Sequence, residues 1–188
     1  MKATETRRHL LEAASRILTH DGSVHLTIAG VAKAAGVSKG CVLYHFPSKA
    51  ALIEALVRYN GELMDSEFER LIAAAAPGPG RVLRAWLELH THRPPMSAER
   101  HLDLMGLIAR EPALHAIITE HRRQQLERLQ TDAADADLAL LVAFAAEGLG
   151  FAEILGPELI GEATKLRLLA LARRLSHATE PGRPAADD

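Results

Sequence analysis

Apolar residues recur along this chain at intervals of three and four, the period of an α-helix, and no run of strict apolar–polar alternation is long enough to predict a strand. Leu10, Leu11, Ala14, Ile17 and Leu18 form one such stripe and predict a helix from about Glu5 to His20. Asp21–Gly22 stops it. Thr27 suits the N-cap of a second helix, Ile28 to about Ala34, because its hydroxyl can accept from the free amides of a first turn. Gly36 permits a tight turn with positive φ. Ser38 then caps a short third helix that ends near Phe46, since Pro47 lacks an amide and clashes with the preceding turn. Ser48 starts a fourth helix reaching about Ala75. The stretch APGPG at 76–80 is the clearest break after the head.

Five more helices are expected at about 81–92, 98–110, 113–131, 136–155 and 158–176. RPP at 93–95, EP at 111–112, TDAAD at 131–135 and GP at 156–157 separate them. Residues 178–188 read as a disordered tail. The expected fold is all-α with about nine helices, a head over residues 1–47 and a helical body over 48–177. Composition agrees: 48% of residues are apolar, enough for a sizeable core, and the good helix formers Ala, Leu, Glu and Arg dominate.

Charge changes the picture more than composition does. The net charge is only −2, but residues 1–60 carry eight Lys and Arg against four Asp and Glu, a balance of +4. The rest carries fourteen against twenty, a balance of −6. A polyanion would therefore meet the head. The charged start MKATETRRHLL lacks the apolar run of a signal peptide, and no stretch reaches the roughly 18 consecutive apolar residues of a membrane span. Cys41 is the sole cysteine, so no intrachain disulfide forms. A cytoplasmic protein without a membrane partner is expected.

Two short helices joined by a glycine turn, the second capped by serine, describe a helix-turn-helix. Val42 and Phe46, four apart, can anchor the third helix, leaving Lys39, Gly40, Leu43 and Tyr44 mostly outward. A short helix presented end-on fits the major groove of DNA, with its first residues at base edges. Lys49, in the first turn of the next helix, can neutralise a phosphate.

The stretch LTIAGVAKAAGVSKGCVLYHFPSKAAL resembles the DNA-binding domain of TetR-family transcriptional regulators in Thr27, Ile28, Val31, Ala32, Ala35, Gly36, Val37, Ser38, Gly40, His45, Phe46, Lys49 and Leu52. The specific resemblance covers roughly residues 5–56; beyond it, length and helical layout are similar. It implies a DNA-reading surface of Thr27, Ser38, Lys39, Gly40, Cys41, Leu43, Tyr44, His45 and Lys49. One position departs. Where the family usually has a tyrosine that meets backbone phosphate, this chain has Leu43, which can touch a thymine methyl or a sugar instead. Tyr44 and His45 are then the candidates for the phosphate contact. Cys41 stands where the family often has a small residue such as threonine. In a DNA-bound dimer the two recognition helices lie about 34 Å apart, too far for Cys41 to pair with its mate.

A palindromic operator on double-stranded DNA implies a two-fold homodimer. The eighth helix is apolar on two sides. Leu138, Leu141, Val142, Ala145, Leu149 and Ala152 make one face, and Leu140, Phe144, Phe151 and Leu155 another. The ninth is similarly broad, with Leu159, Ala163, Leu166, Leu169 and Ala170. Leu141, Val142, Ala145, Leu149, Ala152, Leu166 and Leu169 are the expected dimer contacts, and the resemblance implies a four-helix bundle between subunits; the less favoured alternative is that both helices are plain core. In the middle helices Trp86 and His90, His101 and Met105, and His121 and Gln125 lie on inward stripes. An apolar pocket with a few convergent polar groups suits a small-molecule effector, while each histidine also suits a satisfied core position. The resemblance implies a ligand-responsive repressor, and the residues offer no Ser/His/Asp arrangement, phosphate-cradling Gly loop or metal motif of known spacing, so no cofactor, metal or catalytic residue is expected. The competing reading is a helical metalloprotein or enzyme using His90, His101 and His121.

Overall fold

The computed structural model describes residues 3–91, 98–156 and 158–178, and the side chains of all of these except 98–101 and 178. Of the tail expected at 178–188, Ala178 is the last residue of a helix and 179–188 lie outside the described residues, as does the side chain of His101. Nine α-helices and one 3-10 turn (Ser23–His25) occur among the described residues, with no strand. They are α1 (Ala3–His20), α2 (Ile28–Ala35), α3 (Lys39–His45), α4 (Lys49–Ala74), α5 (Arg81–Thr91), α6 (Ala98–Arg110), α7 (Pro112–Asp132), α8 (Ala136–Leu155) and α9 (Glu162–Ala178).

The chain divides into two compact units, residues 1–64 with 99–120, and residues 65–98 with 121–188. In the first, α1, α2, α3 and the start of α4 surround Leu10, Leu11, Val31, Val42, Phe46 and Leu52, all essentially buried. Leu114 of α7 joins that core. Asp103 of α6 accepts from both the amide (2.7 Å) and the hydroxyl (2.6 Å) of Ser23, fixing the 3-10 turn between α1 and α2. Nothing in the local sequence of that turn announced a partner eighty residues away.

The second unit packs α5, α8 and α9 around Phe68, Leu83, Trp86 and Leu129. The end of α4 is closed by side chains of α5. Arg81 donates to the carbonyls of Ile72 (2.6 Å) and Ala73 (3.0 Å), which lack helical partners. Arg84 donates to those of Ala76 (2.8 Å) and Pro79 (3.1 Å). Asp132 accepts from the amide of Val82 at 2.8 Å and caps the start of α5.

Two expectations need correction. The last helix begins at Glu162, not 158: residues 158–160 form a turn, and Gly161 takes φ 72° before Thr164 and Lys165 bond back to its carbonyl. Leu159 is thus an exposed turn residue and not part of a helical stripe. The faces of α8 are also drawn differently. Ala139, Val142, Ala143, Ala146, Leu149 and Ala152 point into the chain's own core, while Leu141, Phe144, Phe151 and Leu155 are 66%, 52%, 49% and 58% exposed. Small side chains take the inner side because α5 and α9 approach α8 closely there. α8 is long and apolar enough, by length and composition, to cross a membrane. Glu153 pairs with Lys165 of α9, and that hydrogen bond holds the ammonium pKa above its ordinary value despite the opposing effect of burial.

Candidate functional site

Local rules build the α2–α3 element. Thr27 is extended and its hydroxyl accepts from the amide of Gly30 at 2.9 Å. Gly30 is itself required by crowding: a Cβ there would lie 2.9 Å from the carbonyl of His25. Gly36 ends α2 in the left-handed region, φ 67°. Ser38 starts α3 by accepting from Cys41 (3.1 Å), and Ser48 starts α4 by accepting from Ala51 (3.1 Å). Ser38→Ala is expected to lower stability by about 1 kcal/mol, the usual worth of a hydroxyl cap; a urea midpoint unchanged from the native chain would show that the cap contributes nothing.

Val42 (0% exposed) and Phe46 (2%) seat α3 on the core of the first unit. The Arg7 guanidinium lies over the Phe46 ring, 5.2 Å from its centroid. His9 Nε2 donates to the carbonyl of Ala35 at 3.1 Å, joining α1 to the end of α2. Neither Arg7 nor His9 carried a sequence signal beyond its place on the polar side of α1. On the outer side Lys39, Gly40, Leu43, Tyr44 and Lys49 are exposed, with Thr27 and Ser38, and Cys41 and His45 are half-buried. Leu43 is 45% exposed against 80% for Tyr44, whose ring meets that of His45 edge-on at 5.1 Å. The surface combines two ammonium groups, hydroxyls at two helix starts and an aromatic edge, suited to phosphates flanking a groove.

The residues expected at an effector pocket fall into separate sets. In the second unit the Trp86 ring is fully buried and the His90 ring stacks on it, centroids 4.2 Å apart. His90 Nδ1 donates to the Trp86 carbonyl at 2.9 Å. Also in that unit, the Asp65 carboxylate at the middle of α4 lies 2.8 Å from His121 Nε2, and buried Gln125 donates to the same oxygen at 3.2 Å. Met105 belongs to the first unit and is 43% exposed. Among the described residues no group of three or more His, Cys, Asp and Glu is placed to hold a metal ion.

Sequence reasoning missed Asp65, Arg122 and Glu147. Arg122 lies over the Trp86 ring, 5.0 Å from its centroid, and its Nη2 is 3.0 Å from Glu147 Oε1. A signal for Glu147 existed: it follows Ala143 by four residues and so falls beside the inner stripe of α8.

A capped, end-on third helix with basic and hydroxyl groups outward, on an all-helical chain, defines a helix-turn-helix regulator. The family of bacterial regulatory proteins of the tetR type matches over residues 10–56, and the tetracyclin repressor-like C-terminal domain matches over residues 80–177. The chain belongs to the TetR family of transcriptional regulators. It is 35% identical over 108 residues to the regulator AcrR of Shigella flexneri, covering 57% of this chain and 49% of that one. To TtgR of Pseudomonas putida it is 41% identical over 56 residues, 30% of this chain and 27% of that one. The chain thus spans about half or less of the length of these curated relatives. A transcriptional regulator of Saccharomonospora viridis, solved in complex with choline, shares the fold with a TM-score of 0.73 at 20% identity, over 96% of this chain and 100% of that one.

Proposed function

We propose that the protein is a cytoplasmic, homodimeric repressor that binds a palindromic operator on double-stranded DNA and leaves it when a small molecule occupies its C-terminal region. In this reading residues 1–47 form the DNA-binding domain and 48–177 the effector and dimerisation domain. The observation that carries the DNA part is the seating of α3: Val42 and Phe46 are buried beneath it while Lys39, Gly40, Leu43 and Tyr44 stand outward. Lys39 reads guanine O6 and N7, Lys49 and the hydroxyls of Thr27 and Ser38 meet phosphates, and Tyr44, the more exposed neighbour, takes over the aromatic backbone contact that Leu43 cannot make. Leu43, with Cys41 beside it, offers apolar surface to a thymine methyl.

The exposed strip of Leu141, Phe144, Phe151 and Leu155 on α8, together with exposed Leu166 of α9 (57%), supports a dimer contact. Val142, Leu149 and Ala152 sit behind that strip and support it from within. Effector binding moves the equilibrium between two spacings of the heads and requires unequal affinity for them. The choline complex of the Saccharomonospora viridis regulator supports effector binding within this fold.

Duplex binding to the DNA upstream of the protein's own reading frame, measured against salt, tests the DNA reading. Lys49→Ala is expected to reduce the slope of log affinity against log salt by about 1 and to weaken all sequences alike. Lys39→Ala is expected to cost about 1–3 kcal/mol at one base position. Native affinity in both variants would sink the assignment.

A further inference from the structure

We infer that Trp86, His90 and Glu147 form a binding site for a planar, delocalised organic cation of the guanidinium or amidinium class, and that Arg122 fills this site as an internal occupant when no such ligand is present. The inference deepens the effector reading above and rests on it for its regulatory meaning.

The chemistry of this cluster is that of a cation receptor. An indole face attracts positive charge through the ring quadrupole, and most strongly where water is excluded. Trp86 is fully buried. The stacked His90 side chain is only 7% exposed and holds the indole in a fixed plane. The carboxylate of Glu147, 22% exposed, supplies the counter-charge, with His90 Nε2 3.8 Å from it. Such a carboxylate, on the inner side of an alanine-rich helix, is costly without a cation beside it. The indole N–H of Trp86 has no hydrogen-bond partner among the described residues, so this buried donor is not satisfied by any described group.

The cation now present is Arg122, and the manner of its entry matters. Its side chain is 38% exposed, so it lies at the edge of the cluster and part of it still meets water. It makes the two contacts an external cation of the same shape would make, one to the ring face and one to Glu147 Oε1. Exchange requires Arg122 to give up its contacts with Glu147 and the Trp86 ring and turn outward into solvent. The planar head of arginine also sets the preferred ligand shape, because its fork matches a carboxylate edge while its plane lies on an aromatic face. An anion would meet the Glu147 charge, and a neutral arene would not replace the ion pair that Arg122 makes with it.

Trp86 is the only tryptophan in the chain, so its fluorescence reads the site directly in the intact chain. Benzamidine is titrated against benzamide, its uncharged counterpart of like shape, first without DNA. Saturable quenching by benzamidine and not by benzamide is expected. Arg122→Ala and Arg122→Gln should each raise benzamidine affinity by at least about tenfold, since the internal competitor for the ring is gone. Glu147→Gln should lower it by at least about tenfold, because the counter-charge is lost while shape is kept. Thermal melts identify any variant that does not fold, and the Arg122 pair decides if Glu147→Gln is one. Benzamide matching benzamidine, no benzamidine binding to the native chain or either Arg122 variant, or Arg122 variants binding no better than native overturns the site. Benzamidine binding that leaves DNA affinity unchanged upholds the site and overturns the effector reading. DNA release by other small molecules without benzamidine binding does the reverse.

Discussion

Phe46→Ala is expected to cost about 3–5 kcal/mol, the range for truncating a buried aromatic ring. The ring is 2% exposed, lies in the core of the first unit with Val42, and carries the Arg7 guanidinium on its face. Its removal leaves a cavity beneath α3, a seven-residue helix too short to hold itself in water. The recognition surface should therefore lose its geometry before the rest of the chain unfolds. Urea unfolding followed by circular dichroism gives the stability change, and duplex binding under native conditions gives the functional one. A loss below about 1 kcal/mol would mean that neighbouring side chains collapse into the space, and that the ring is not what seats α3.

Phe144→Glu is expected to yield a folded monomer. Phe144 is 52% exposed on the outer strip of α8, so a carboxylate there remains hydrated in a single chain and is buried without a partner in a dimer. In the proposed dimer, operator affinity should then fall by about 10²–10⁴, because the second head would no longer be tethered to the first. Sedimentation and duplex binding read the two effects. Val142→Glu is the contrasting variant. Val142 is 3% exposed within the chain's own core, and the same charge there should unfold the chain instead of separating subunits. A Phe144→Glu protein that stays dimeric would place the partner contact elsewhere.

What the sequence made legible follows the range of the forces involved. Caps, turns and helix periods act over a few residues, and Thr27, Gly36, Ser38 and Ser48 each stand where local chemistry places them. α3 was readable for the same reason, since four-residue spacing alone puts Val42 and Phe46 on one side. α8 was not, because a helix apolar around its whole circumference offers no polar stripe to set its phase. Only the close packing of α5 and α9 decides that alanines go inward and Leu141 and Phe144 outward. The polar clusters failed for a related reason. Asp65 meets His121 across 56 residues of chain, and Arg122 meets Glu147 from another helix, so neither partner is announced by its neighbours. The histidines were visible as candidates; the groups that define their surroundings were not.

The stretch around APGPG has the composition of a tether, yet its backbone is clamped. Ile72, Ala73, Ala76 and Pro79 each give a carbonyl oxygen to one of two guanidinium groups, and Gly80 donates its amide to the Asp132 carbonyl at 3.2 Å. Arg81 and Arg84 are also the two residues here after which trypsin would cut, and both side chains are committed to holding the turn. Proteolysis needs a segment that can extend into the enzyme's cleft, and this one extends only after four side chain–backbone hydrogen bonds have opened. A boundary that composition marks as the place to split the chain is, by its bonding, a poor site for a nick, an inserted tag or a truncation.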